Sequence, residues 1–199
     1  MTLSKSAFIF IGYQNDYFAN DGILRTAIEE SSQTNQVLKN TTRLIDLLKS
    51  SDATLIQTPI IFTPSYEELN EPVGILKVIK DVGAFQEGQP GSQVIDEFVN
   101  YGDRILTIKG KRGLNAFSNT ELSQTLENKG VENVYIAGAV TSICIDSTAR
   151  AAHERGFNVF VLSDCTAGRS NFEQDFYCEN IFPLYAKVID SQQLGSTTA

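Results

Sequence analysis

The chain has 199 residues, 42% of them hydrophobic, and carries a net charge of -8. That length suits one domain with a well-filled core, and an acidic chain without a Lys/Arg cluster is unsuited to nucleic acid or to an anionic membrane surface. No apolar run reaches the roughly 18 residues of a membrane span, residues 7–11 are too short for a signal-peptide core, and three cysteines with no Cys-x-x-Cys and one histidine predict a reducing, cytoplasmic setting rather than a disulfide framework.

Residues 7–13 (AFIFIGY) read as a strand covered on both faces. Gly12 stands at its end, where glycine often marks the close approach of another group. Gln14-Asn15-Asp16-Tyr17-Phe18 then leaves the sheet edge, with Asp16 read first as a loop cap for backbone N–H groups. Asn20-Asp21-Gly22 is a turn signal. Val37, Leu44, Ile45, Leu47 and Leu48 give residues 34–50 one broad apolar helical face, and 53–58 form a second strand stopped by Pro59. Residues 65–91 are rich in proline and glycine and are predicted to be irregular, apart from a helix over 74–81. Long connections of that kind serve as lids or partner surfaces. Phe85 within it is a candidate to cover a site or a neighbouring subunit, and equally a candidate core anchor.

Beyond that segment the pattern predicts a helix over 92–99, a strand over 104–109, a helix over 120–128 and a strand over 131–138. A helix carrying Cys144 runs to about Arg155 and is stopped by Gly156. A strand over 158–162, a polar loop over 163–169, a helix over 173–181, a strand over 186–189 and a frayed polar tail from Gln192 complete the chain. Strands alternating with helices make this an α/β protein: one domain over residues 1–199, three layers α/β/α, with a central, mostly parallel six-stranded sheet. Sites belong at the carboxyl ends of such strands, which is where QNDYF, GKRGLNAF, TSIC and SDCTAGR all fall.

Cys144 is the residue around which chemistry is expected. The chain passes through Ala137, Gly138 and Ala139, turns at Thr141-Ser142 and puts Cys144 near the first turn of its helix. Unpaired N–H groups and the positive end of the helix dipole favour a thiolate there, and the thiolate is the nucleophile. Lys111 lies in the basic loop after the preceding strand. An opposite charge within about 4–6 Å favours the ionised sulfur, and the same ammonium can move a proton; otherwise Lys111 is a solvated lysine like its neighbours Lys109 and Arg112. Backbone N–H groups at Val140 and Cys144 are candidates to bind a developing oxyanion. Gln14, Phe18 and Phe117 are the candidate substrate-binding residues. His153, about two and a half turns past Cys144, points away from it and reads as a helix-surface or packing residue.

These segments resemble the isochorismatase-like cysteine hydrolase family, which includes nicotinamidases and carbamoyl-sarcosine amidases, along nearly the whole chain. IGYQNDYF is similar to the family's first-strand motif, an aspartate followed by hydrophobic-Gln-x-Asp-Phe. GKRGLNAFSNT resembles the lysine loop, usually Lys-x-x-x-Ser-Ala-Phe, with Lys111 as its lysine. AGAVTSICIDSTARAA resembles the nucleophile segment, with Cys144 as the nucleophile. The resemblance implies a cysteine hydrolase cleaving a C–N, amide-type bond of a small molecule through a Cys thioester, without a cofactor. It also implies a non-proline cis peptide at Ala139–Val140 and a homodimer or homotetramer, with the glycine-rich middle segment as a contact.

One departure matters. The family's triad is Asp, Lys and Cys, with the aspartate as thiol base, and the aligned position here is Gly12. Asp16 matches the motif's second aspartate, which is mainly structural in the family. Glu67, Glu68, Glu71 and Glu87 are the candidate replacements. The nicotinamidase metal motif Asp-x-His is replaced by Gln57-Thr58-Pro59-Ile60, so no metal is expected and nicotinamide is a less suitable substrate.

Two other readings compete. Cys144–Arg150 fits the Cys-x5-Arg loop of cysteine phosphatases, whose arginine clamps phosphate; but Asp146 would repel phosphate, the segment lacks glycine, and Arg150 is expected on the helix. The alternative raised by Gly12 is a catalytically impaired or non-hydrolytic relative, acting as a small-molecule binding or thiol-sensing protein.

Overall fold

Ser6–Ile11 (β1) is buried along its whole length, and a strand of that kind belongs inside a sheet covered on both faces. In the computed structural model, which describes residues 2–195, it does so. The other strands are Thr54–Thr58 (β2), Ile105–Thr107 (β3), Asn133–Ala139 (β4), Asn158–Ala167 (β5) and Lys187–Ile189 (β6). They lie in the order β3-β2-β1-β4-β5-β6, and every neighbouring pair is parallel. The helices are Asn15–Phe18 (α1), Glu29–Thr34 (α2), Val37–Leu48 (α3), Gly74–Val82 (α4), Asp96–Val99 (α5), Leu122–Asn128 (α6), Asp146–Glu154 (α7) and Asn171–Phe176 (α8), with a last turn at Gln192–Gly195. None of them is long and apolar enough to cross a membrane.

Strand order runs outward in both directions from the β1–β4 pair. Right-handed crossovers then send the connections of the two halves to opposite faces. The reversal leaves a crevice at the carboxyl ends of β1 and β4, the place where open α/β sheets hold ligands. The sheet is pinned there by side chains in register. Phe8, Tyr135 and Phe160 are cross-strand neighbours, and their rings stack at 4.5 Å in each pair, each contact worth roughly 0.5–1.5 kcal/mol beyond burial. Gly138 permits the close pairing of β4 with β1: its φ is +121°, and a Cβ there would stand 1.9 Å from the Ile11 carbonyl oxygen.

Several elements differ from the expected ones. The helix expected over 34–50 is α3, and the left-handed Gln36 (φ 49°) separates it from α2, a helix the sequence pattern did not predict. The helix expected over 92–99 is a turn at Pro90–Ser92 followed by α5, and that over 173–181 is α8 continued by a π turn at Tyr177–Ile181. The polar loop expected over 163–169 is mostly strand. Pairing of β4 with β5 shifts after Ile136 and resumes at Gly138–Thr166 and Ala139–Ala167. The polar side chains that suggested a loop are satisfied internally: Ser163 donates to the Ile189 carbonyl, and Asp164 accepts from the backbone and hydroxyl of Ser191. Of the tail expected from Gln192, residues 192–195 form the last turn and the remainder lies outside the described residues.

Candidate active site

Three chain segments meet at the crevice between β1 and β4. The first is the turn after β4. The peptide bond between Ala139 and Val140 is cis, and the helix begins as a single π turn, Thr141–Ile145, before α7 proper. Cys144 sits in that turn and is 4% exposed. Neighbouring side chains fix the turn from α8: Thr141 Oγ1 donates to Gln174 Oε1 at 2.5 Å, and Ser142 Oγ donates to Glu173 Oε1 at 2.7 Å. Gln174 Nε2 in turn donates to the Thr166 hydroxyl at the end of β5, and Arg169 Nε to Glu173 Oε2.

The second segment is the loop after β3, which carries Lys111. This lysine is wholly buried, unlike the solvated lysine that a basic loop would suggest. Its Nζ donates to Cys144 Sγ at 3.5 Å and to the Gly113 carbonyl. The loop is held on two sides. Ile61 N–H donates to the Lys111 carbonyl at 3.4 Å, and Ala116 N–H to Thr148 Oγ1 of α7 at 3.1 Å. Next to it, Arg112 is paired with Glu68, which also accepts from Thr63.

The third segment follows β1. Gly12 has a φ of +74°, and a Cβ there would stand 3.1 Å from the Ala139 carbonyl oxygen. Asp16 is a cap, as one reading of the sequence had it: its Oδ2 accepts the Phe85 N–H at 2.6 Å. Burial raises its carboxyl above the ordinary aspartate value, and the Phe85 N–H pulls the other way. Phe85 is buried, and its ring lies 5.1 Å from that of Tyr17.

The remaining candidates divide. Gln14 is committed to backbone: its amide donates to the carbonyls of Ile60 and Ser92 and accepts from Ile60 N–H. Phe18 stacks on Tyr13 at 5.1 Å and lines a cleft of about 300 Å³ between α1, α2 and α3. Phe117 packs on Phe157, with the Arg155 guanidinium 4.7 Å from its ring, toward the far end of α7. Of the candidate carboxylates, Glu68 is taken by Thr63 and Arg112, and Glu67 accepts from Ser65. Among the described residues, the Cys144 sulfur has its hydrogen bond from Lys111 and none from a carboxyl group. Arg150 pairs with Asp146 and covers the Tyr185 ring at 4.5 Å, so it does not face the thiol as a phosphate clamp would. His153 is exposed, near the same ring. Burial pushes the other two thiols up, Cys178 to about 12 and Cys165 further still. At the nicotinamidase metal position, Gln57 gives its amide to Thr107 and Thr58 is a buried hydroxyl, so neither supplies the carboxylate or imidazole that a divalent metal would need.

Sequence reasoning missed Tyr17, Glu173 and Gln174. The first had a signal, a phenol five residues past Gly12 in the segment that leaves the sheet edge. The other two had none, because the α8 contact joins residues more than thirty positions apart in the chain, as the Ser142–Glu173 separation of 31 and the Thr141–Gln174 separation of 33 record.

The isochorismatase domain family matches residues 6–193. Nicotinamidase 3 of Arabidopsis thaliana is 26% identical over 167 residues, covering 82% of this chain and 80% of that protein. Among solved structures, a cysteine hydrolase from Pseudomonas syringae pv. phaseolicola superposes with a TM-score of 0.82 at 17% identity, over 98% of this chain and 92% of that one. N-carbamoylsarcosine amidase from Thermoplasma acidophilum gives a TM-score of 0.73 at 21% identity, over 94% and 96%.

Proposed function

Because this chain belongs to the isochorismatase family, we propose that it is a cysteine hydrolase acting on an amide-type C–N bond of a small molecule, with Cys144 as nucleophile and Lys111 as its proton carrier. The observation that carries this reading is the Lys111 Nζ–Cys144 Sγ contact of 3.5 Å, made at the strand-order reversal. A lysine gains nothing for stability by being wholly buried, since withdrawing an ammonium from water costs several kcal/mol; an adjacent sulfur that becomes anionic is a reason to hold it there.

The steps balance with one amine. The sulfur, as thiolate, bonds to the carbonyl carbon, and the N–H groups of Val140 and Cys144 hold the oxyanion. The C–N bond breaks, and the departing nitrogen takes a proton from the Lys111 ammonium. Water then adds to the thioester, Lys111 takes one of its protons back, the acid leaves and the thiolate is restored. No carboxylate is needed in this cycle, which is how the reading accommodates Gly12.

The test is intact-mass analysis after rapid quench with a panel of small amides. Wild type should show an acyl adduct on Cys144 and release the acid; Cys144→Ala should do neither. Equal slow hydrolysis by both proteins would remove the enzyme reading. A second reading is favoured by the absence, among the described residues, of a carboxylate bonded to the sulfur: a small-molecule binding or thiol-sensing relative. It predicts alkylation of Cys144 without turnover of any amide. Either way the protein is read as cytoplasmic and as a homodimer or homotetramer, with a small molecule rather than nucleic acid or membrane as its partner.

A further inference from the structure

Gly12 leaves one position at the crevice without a side chain, and an aromatic ring borders it. A Cβ built on Gly12 would stand 3.4 and 3.5 Å from Cδ2 and Cε2 of Tyr17. Tyr17 is 2% exposed. Among the described residues its hydroxyl makes no hydrogen bond, and the fully enclosed side-chain polar atoms without a partner are Gln57 Oε1 and Thr58 Oγ1. The little exposure that Tyr17 keeps therefore includes its oxygen, where a bound ligand can meet it. The phenol also interacts with Cys144: burial is the main influence holding its proton on, and charge at that sulfur is the next. Tyr17, with Phe18, lines the cleft of about 300 Å³ between α1, α2 and α3, a volume at the lower end of small-molecule sites. Cys144 and Lys111 do not line that cleft; Tyr17 borders both the cleft and Gly12.

We propose that the Tyr17 phenol is a third catalytic group of this site, donating a hydrogen bond to the leaving atom of the substrate from the side that Gly12 leaves bare. The inference rests on the hydrolase reading and adds a residue to it. As Cys144 Sγ bonds to the carbonyl carbon and the bond to the leaving atom breaks, that atom gains electron density, which the Tyr17 O–H stabilises. The proton it keeps comes from the Lys111 ammonium and is returned when water attacks the thioester. Tyr17 ends each cycle as it began, protonated. A phenol so buried does not replace an aspartate as base; it acts as a donor only.

Tyr17→Phe keeps the ring against Gly12 and Phe85 and removes the hydroxyl alone. It should be compared with wild type on one acyl group carried by three leaving groups: a nitrophenyl ester, an alkyl ester and a primary amide. The expected result is a fall in kcat of at least about tenfold on the amide and the alkyl ester, with KM unchanged. The nitrophenyl ester should react at the wild-type rate, because its leaving group needs no donor. Iodoacetamide labelling of Cys144 at the wild-type rate will show that the variant's sulfur site is intact. Wild-type kcat on all three substrates overturns the assignment, and so does an equal loss on all three, which is what a purely structural role gives. If wild type itself forms no Cys144 thioester with any of them, the hydrolase reading falls and this role falls with it; if wild type turns over and Tyr17→Phe matches it, only the role of the phenol is lost.

Discussion

Lys111 is the side chain whose placement the fold least requires. It is wholly buried, donates to a sulfur and a carbonyl, and has no carboxylate partner among the described residues. Without the ammonium the sulfur can take a proton and lose its charge, so removing Lys111 replaces a buried charged pair with neutral groups, an exchange that is often neutral or stabilising, by roughly 1–4 kcal/mol. Lys111→Met should therefore shift the urea midpoint upward or leave it in place, while slowing iodoacetamide alkylation of Cys144. A clear loss of stability would mean that the ammonium serves the fold rather than the sulfur. Gly12 is the complement at this scale. Its left-handed φ and the Ala139 oxygen 3.1 Å from a hypothetical Cβ make it a strained position for any side chain.

At the scale of elements, the connection after β2 is fastened over the crevice by α1. Asp16 takes the Phe85 N–H, Gln14 takes both backbone groups of Ile60 and the carbonyl of Ser92, and Tyr66 donates to the Ala84 carbonyl. Phe85 holds a left-handed φ of 55° within this arrangement. Asp16 gives it a pH signature. Its folded-state carboxyl is raised, chiefly by burial, with the Phe85 N–H opposing. The folded chain therefore keeps that proton to higher pH than the unfolded chain, whose aspartate titrates near about 3.9. Stability from this residue is greatest below that value and declines as pH rises through the folded-state pKa. Urea midpoints measured from acid to neutral pH should show Asp16→Asn removing that decline, and parallel curves for the two proteins would refute it.

At the scale of the whole molecule, α4 exposes Val78 and Val82, one turn apart, beside the exposed Lys77–Asp81 pair. Val73, at its start, is 81% exposed and Val78 is 44% exposed, in the same glycine-rich segment that the sequence offers as a subunit contact. Single exposed valines are ordinary, but a row along one helix fits a partner surface. Wild type should sediment as a dimer or tetramer, and Val78→Glu should sediment as a monomer. Unchanged sedimentation in the variant would move the contact elsewhere. The net charge of -8 leaves the buried Lys111 as a local exception inside an acidic molecule, which keeps a small anionic group within the range of possible ligands.

The sequence by itself determined the alternation of strands and helices, the six strands, and the facing of QNDYF, the lysine loop and the Cys144 turn toward one edge, because burial on both faces and the carboxyl-end rule act on local pattern. Local pattern also located Cys144 and Lys111, and the family resemblance marked Gly12 as a departure. It misread 163–169, where polar residues find partners in Ile189 and Ser191, and it held no sign that Gln14 bonds the backbone of Ile60 and Ser92 or that Phe117 stacks on Phe157, because those partners are distant in the chain. Only the tertiary structure decided that Lys111 is buried against the sulfur, that among the described residues no carboxylate bonds that sulfur, and that a tyrosine borders Gly12. These are contacts between residues tens of positions apart, and separation along the chain carries no record of them.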